Sequence, residues 1–411
     1  MSVALRKMID IGPAGVIYPG SAQDYRYHEN RTYLRDTRTG WIRYWADWPS
    51  LQPDSRYAID DPASPGFSKL QALDEQIRLA CADGLKVMLL PYRFPTWANG
   101  TAAIDAQKNT DADISFEYWD RMTEASWNRY VRNGRNPAVY NPPRRALEYR
   151  LIPDAYGPNS AWAKFFDFLY RRYHYGQRGS GRFVHGFDLV NEPNLQLWPL
   201  HDPAPSGGSL FASGPVKIGT HIAQLMATAQ QISARYGHST GMYAPSISDS
   251  DTLSSRRYTR WNEFVPLLLD ALAARGYRPH SKQAWSHHNY SDVEYRTAAT
   301  RLQTVRGLLA GRWAGVSGSQ GPSVYVTEGG ARLARMAALY PTEDPRQAHA
   351  KCLRDAWALL QRDTDQGAGV GMFAQYLIYA DPNFDTGLID PWPSTVKRPA
   401  YDAWKSFPKY T

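Results

Sequence analysis

Two glutamates stand where a strand pattern stops abruptly, and carboxylates so placed can do acid–base or nucleophilic work. In Phe187-Asp188-Leu189-Val190-Asn191-Glu192-Pro193, an apolar and aromatic run that begins at Phe183 ends on Asn-Glu-Pro. Pro193 lacks the N–H that a central ladder needs, so the strand cannot pass it. In Ser323-Val324-Tyr325-Val326-Thr327-Glu328-Gly329-Gly330, an alternating β-branched stretch again ends on a glutamate, and glycines follow. Either one alone reads as a strand followed by a turn with a solvated Glu. Together they are the pair that retaining glycoside hydrolysis uses: one acid to protonate the leaving oxygen, one carboxylate to attack the anomeric carbon, about 5–5.5 Å apart. Glu192 is the expected acid/base and Glu328 the expected nucleophile. Partial burial and a neighbouring charge should hold the Glu192 pKa up, and hydrogen-bond donors should keep Glu328 ionised.

Candidate donors lie on other strands. In Trp41-Ile42-Arg43-Tyr44-Trp45-Ala46-Asp47-Trp48, Arg43 shares a face with Trp41 and Trp45. If that face is the inner one, its charge can pair with Glu328; an outward Arg would pair with a helix carboxylate instead. Ser286, His288 and Tyr290 share a face by the period of two, if the strand runs Gln283 to Tyr290. The Tyr290 hydroxyl is then a donor to the nucleophile, and His288 can position a hydroxyl or Tyr290, while His287 faces the other way as a structural residue. Two adjacent histidines could suggest a metal. Neighbours on a strand diverge, however, and no carboxylate or Cys spacing nearby completes a site, so no metal is expected.

These residues need a scaffold that collects strand ends. Apolar runs at 14–18, 41–48, 86–91, 183–190, 241–246, 283–290, 323–328 and 369–379 read as strands. Helical patterns at 70–83, 161–173, 216–236, 261–274, 295–313, 345–361 and 400–407 fall between or after them. Such alternation without a compositional break implies a parallel sheet. An open doubly wound sheet lacks support, because no Gly-rich phosphate turn is present and the interesting residues end several different strands. The expected fold is α/β, one (β/α)8 TIM barrel over 1–411, with long loops after strands three and four. The stretch 93–160, rich in Pro, Asn, Arg and aromatics, reads as an elaborated loop over the active-site face.

Composition narrows the function further. The chain has 411 residues, 43% of them hydrophobic, enough for one large core. Its 14 Trp and 27 Tyr exceed what a core requires, and aromatic faces with polar edges suit sugar rings. Net charge is +8, but no Lys/Arg run is dense enough for a nucleic-acid arm, so no nucleic-acid partner is expected. Cys81 and Cys352 both fall in helical patterns and imply no disulfide framework. The N-terminus lacks an apolar signal core, and no run of about 18 apolar residues occurs. The chain therefore reads as soluble, with no membrane partner and no export signal of its own, either cytoplasmic or secreted after signal removal. No P-loop or Gly-rich dinucleotide fingerprint is present, so no coenzyme is expected.

Asn191-Glu192-Pro193, His288-Asn289-Tyr290 and Thr327-Glu328-Gly329, each at a strand end, resemble glycoside hydrolase clan A. That resemblance implies a (β/α)8 barrel with the acid/base and nucleophile after strands four and seven. Phe94-Pro95-Thr96-Trp97 after strand three, and Gly387-Leu388-Ile389-Asp390 followed by Lys397-Arg398-Pro399-Ala400-Tyr401, are similar to family 39 and the cellulase-like family 5. By the same resemblance Asn191 binds the 2-hydroxyl of the sugar, Tyr290 touches the nucleophile and Trp97 stacks on substrate. On the last strand, Phe373, Gln375 and Tyr376 occupy the place where many clan members put a Trp floor, with Gln375 as the substrate-binding candidate. The implied partner is a polysaccharide, oligosaccharide or glycoside. A carbohydrate-binding barrel without catalysis, and a transglycosylase using the same covalent intermediate, are the alternatives.

Overall fold

The computed structural model describes residues 5–12, 26–95, 97–98, 157–195, 215–249, 259–280, 283–296, 300–313, 324–365, 370–381 and 384–408. Eight parallel strands close into a barrel in sequence order: β1 (Arg6–Asp10), β2 (Trp41–Asp47), β3 (Lys86–Tyr92), β4 (Gly186–Asp188), β5 (Gly241–Tyr243), β6 (Gln283–His288), β7 (Val324–Glu328) and β8 (Val370–Tyr376). Helices α1 (Arg26–Asp36), α2 (Trp48–Leu51), α3 (Phe67–Ala82), α4 (Ala161–Tyr173), α5 (Pro215–Arg235), α6 (Trp261–Ala274), α7 (Tyr290–Glu294), α8 (Thr300–Leu309), α9 (Leu333–Leu339), α10 (Pro345–Asp365) and α11 (Pro399–Ser406) lie between and after them. The expected (β/α)8 barrel is the fold found. Most of the loop expected at 93–160 lies outside the described residues, as does the segment after Leu195 up to α5.

Local chemistry explains the elements. In α3, Leu70, Leu73, Ile77 and Ala80 are buried on one stripe. The helix ends where Gly84 takes a left-handed φ of 73° and the Leu85 N–H reaches the Ala80 carbonyl at 2.9 Å. Ser160 caps α4 by accepting from the Ala163 N–H at 3.1 Å, and Trp162, Phe165, Phe166 and Tyr170 bury the helix face that follows.

The first strand differs from expectation. It is Arg6–Asp10 rather than 14–18, which lies outside the described residues. Arg6 and Lys7 mask the pattern in the sequence, because Lys7 is a charged residue that the fold nevertheless buries completely. Helix α1 carries too few apolar residues for its periodicity to stand out, and α9, at seven residues, is too short to show one. The strand expected to reach Tyr290 stops at His288, and Tyr290 opens α7.

The barrel interior is layered. Met8, Trp41, Met88, Tyr243, Ala284, Met372 and Ala374 form a middle apolar cluster, joined by Tyr325. Large residues fit over missing ones. A Cβ on Gly186 would lie 2.2 Å from the Tyr243 ring, and one on Gly371 would lie 2.2 Å from Tyr325. Above this layer the inner positions turn polar: Asp10, Arg43, Asp188, Ser286 and His288 are all fully buried. Burying so many polar groups is unfavourable unless they are paired, which makes this end of the barrel the candidate site.

Candidate active site

Inner-face alternation on β2 carries Trp41, Arg43 and Trp45 inward, as the period of two requires. The Arg43 guanidinium is the hub of the site. Its Nη1 donates to Glu328 Oε1 at 2.5 Å and also to Asp10 Oδ2. Its Nη2 donates to Asp188 Oδ2 at 2.7 Å and to Asn191 Oδ1 at 3.0 Å. Three carboxylates thus share one cation, and they hold its pKa well above the ordinary value against the opposing effect of burial.

Glu328 ends β7 at an irregularity. The register against β6 slips between His287, opposite Val326, and His288, opposite Glu328. A local extra residue of this kind re-aims the side chains around it. Thr327 Oγ1 sits 3.0 Å from Ser246 Oγ, and Glu328 accepts from both Arg43 and the Tyr290 hydroxyl, the latter at 3.0 Å to Oε2. The donors expected for Glu328 are in place. Burial nonetheless dominates: with help from the Asp10 and Glu192 charges it pushes the Glu328 carboxyl up to about 7, while His288 and Arg43 pull it down.

Glu192 follows β4, where parallel pairing to the β5 end continues past the strands. Asn191 bridges Ser246, and the Glu192 N–H donates to the Ser246 carbonyl at 2.7 Å. Glu192 takes a left-handed φ of 43°, a backbone region that costs a non-glycine residue about 1–3 kcal/mol. The turn delivers its carboxylate to His288, with Oε1 2.9 Å from Nδ1. The same Nδ1 is 3.6 Å from Glu328 Oε2, so the imidazole stands between the two acids. Burial, aided by Arg43, holds that ring below its usual pKa, and its Nε2 has no partner among the described residues.

Glu192, His288 and Glu328 each offer a ligand atom within 4.8 Å of the others. The expectation that no carboxylate stands near the histidines is corrected here, because folding brings two glutamates to His288 from distant strands. A divalent cation could bridge such a trio. Arg43, already 2.5 Å from Glu328, sets a full positive charge beside that position and opposes one.

The remaining candidates separate. Asn191 and Tyr290 join the site as described. His287 faces outward, fully buried, with its ring edge-on to Trp261. Gln375 is fully buried and donates through its amide to the carbonyls of Tyr376 and Thr386, at 2.7 and 2.6 Å. Its neighbour Tyr376 takes the inner face instead, packing with Trp45, Leu90, Tyr92, Tyr290 and Leu377 at the mouth. Trp97 gives its indole N–H to the Gln52 carbonyl at 3.1 Å and sets its ring edge-on to Trp48, against the outer core. Its contacts are with α2 and the segment after it.

Sequence reasoning missed Asp10, Asp188 and Ser246, and on the last strand it chose Gln375 over Tyr376. An acid inside an otherwise apolar strand, as in Phe187-Asp188-Leu189, is the signal that was available, since unpaired acids are almost never fully buried.

No protein-family model and no curated protein matches the sequence. Among solved structures the chain is similar to XacCel5A, with 11% identity and a TM-score of 0.50 over 98% of this chain and 98% of that one. It is also similar to the beta-glucosidase from Thermotoga maritima in complex with galacto-hydroximolactam, with 12% identity and a TM-score of 0.51 over 98% and 96% of the two chains. The Family 1 b-glucosidase from Thermotoga maritima gives 12% identity and a TM-score of 0.50 over the same shares. At these identities the likeness is one of fold, a (β/α)8 barrel.

Proposed function

We propose that this chain is a retaining O-glycoside hydrolase in which Glu192 is the acid/base and Glu328 the nucleophile. One observation carries the reading: carboxylates from two strand ends approach within 4.8 Å, one gripped by Arg43 and Tyr290, the other by His288. Oxygens this near one another suit direct attack, for which the carboxyl groups stand about 5–5.5 Å apart, better than the wider spacing of about 6.5–9.5 Å that leaves room for an inverting water. The motif resemblance to glycoside hydrolase clan A and the fold shared with a beta-glucosidase agree with it.

In the first step Glu328 Oε attacks the anomeric carbon, and the bond to the leaving oxygen breaks as Glu192 gives that oxygen its proton. Water then attacks the glycosyl-enzyme ester, Glu192 takes the water proton, and Glu328 leaves as a carboxylate. His288 can accept or return a proton at Glu192 through the 2.9 Å contact. Asn191, its Oδ1 held by Arg43, keeps its amide N–H groups for the sugar hydroxyl next to the cleaved bond. The substrate class is a glycan or glycoside.

Leaving-group dependence tests the roles. Glu328→Gln should abolish turnover of every substrate. In kcat/KM, which reports formation of the covalent bond, Glu192→Gln should cost about 100- to 10,000-fold where the leaving group needs protonation and far less on an activated aryl glycoside. Equal losses in both variants on the activated substrate would contradict the assignment.

A further inference from the structure

We propose that Asp10 is a positioning residue for this reaction: by sharing Arg43 Nη1 with Glu328, it fixes the guanidinium and divides its charge between two carboxylates, so that the nucleophile does not claim all of it. The inference rests on the reading of Glu328 as the nucleophile. A carboxylate wholly claimed by an arginine is a poor nucleophile, because the electron pair that must attack is tied up in the ion pair. Competition for the same nitrogen loosens that claim.

The geometry makes Asp10 an effective competitor. It is fully buried at the end of β1, in register with Arg43 on β2 and Tyr376 on β8. Its Oδ2 accepts from Arg43 Nη1, the nitrogen that also serves Glu328 Oε1. Its Oδ1 is held by the Trp45 indole N–H at 2.9 Å and the Gly12 N–H at 2.6 Å. Even its carbonyl is engaged, accepting from the Leu377 N–H at 2.8 Å, where Leu377 takes a left-handed φ of 66°. The Trp45 ring lies against the guanidinium, 5.2 Å from its central carbon. A carboxylate fixed by this many donors cannot swing away from Arg43. Asp188, by contrast, takes the other nitrogen, Nη2, together with Asn191 and does not compete at Nη1.

Glu328 is faced by Asp10 from β1, Arg43 from β2, Glu192 after β4, His288 from β6, Tyr290 from α7 and Tyr376 from β8. Removing the Asp10 charge alters two of these influences in the same sense. One negative neighbour disappears, and the charge at Arg43 Nη1 is no longer shared between Asp10 and Glu328.

The decisive experiment is a carboxyl-carbon NMR titration of the full chain labelled at glutamate, with the Glu328 resonance assigned by its loss in Glu328→Gln. Asp10→Asn should move the Glu328 midpoint down by about one unit or more. An unchanged or raised midpoint would overturn the inference. Should Asp10→Asn fail to fold, Asp10→Ser, whose hydroxyl can still accept from the Gly12 N–H, carries the same expectation. The charge-conserving Asp10→Glu should restore the wild-type midpoint. On an aryl glycoside that wild type turns over, Asp10→Asn should lower kcat about tenfold or more with KM little changed, and its acid limb should move down with the midpoint. A loss confined to KM would overturn the inference as well. The titration needs no substrate, so a failure of glycoside hydrolysis and a failure of the Asp10 inference are read separately.

Discussion

Two fully buried cations on neighbouring strands meet opposite fates. Arg43, at the C-terminal end of the barrel, is surrounded by the carboxylates of Asp10, Asp188 and Glu328. Lys7, near the start of β1, finds only backbone: its ammonium donates to the Thr37 carbonyl and, at 3.3 Å, to the Phe407 carbonyl, with the Trp404 ring 5.3 Å away. Carbonyl dipoles do not repay desolvation as carboxylates do. Burial, with Arg38 adding repulsion, brings the Lys7 pKa down to about 7, whereas Arg43 is held well above its ordinary value. The difference lies in the partners. At one end three carboxylates hold a permanent charge in place; at the other an amine ties β1 to the end of α1 and to the residue after α11, and its charge only adds cost.

Substitutions at the two cations should therefore differ in sign. Arg43→Met leaves three acids buried without their partner and should lower stability by about 3–5 kcal/mol at pH 7, measured by urea unfolding, with turnover at background. A loss under about 1 kcal/mol would mean that the acids were already neutral. The same charge set should shape the rate. With Glu328 titrating at about 7, kcat/KM on an activated glycoside should rise with pH through neutrality and be about 100-fold down at pH 5, two units below the midpoint. An acid limb near 4 would show that Arg43 and Tyr290 outweigh burial.

Lys7→Met should instead stabilise the protein, by about 1–2 kcal/mol at pH 6. Below about 7 the lysine is charged in both folded and unfolded chains, and the folded form bears the whole cost. Between 7 and the ordinary 10.5 the unfolded chain still holds the proton while the folded one has released it, so wild-type stability should rise with pH across that window. The methionine variant should lose this rise, which thermal melts at pH 6 and 9 would reveal. The smallest effect concerns backbone strain. Glu192→Asn, at a φ of 43° that asparagine tolerates better, should gain about 1 kcal/mol in thermal unfolding while abolishing acid catalysis. No gain would mean the Ser246 pairing sets that turn without strain.

Much of this was legible from residues alone. Abrupt strand ends at Glu192 and Glu328 placed both acids, and period-two alternation placed Arg43 beside Glu328. What stayed hidden depended on partners far along the chain. Asp188 reads as a single acid in an apolar strand and Asp10 falls outside every run read as a strand, and only closure of the barrel shows that they share one guanidinium with Glu328. The register slip at β7 leaves no mark in Val324-Tyr325-Val326-Thr327-Glu328, since alternation continues through it. On β8 the choice between Gln375 and Tyr376 turned on parity: with Met372 and Ala374 inward, Tyr376 follows them and Gln375 cannot. Tyr290 reached Glu328 as expected, though from α7 rather than from the strand, because the chain turns at Asn289.

The central claim is a covalent bond to Glu328. Glu192→Gln should still form that bond with an activated aryl glycoside but hydrolyse it slowly, having lost the base for water. Incubating this variant with a panel of aryl glycosides and measuring intact mass should show one sugar residue added, released by proteolysis on the peptide that carries Glu328. Steady release of the aryl alcohol with no adduct, or a sugar on any other residue, would contradict a Glu328 nucleophile.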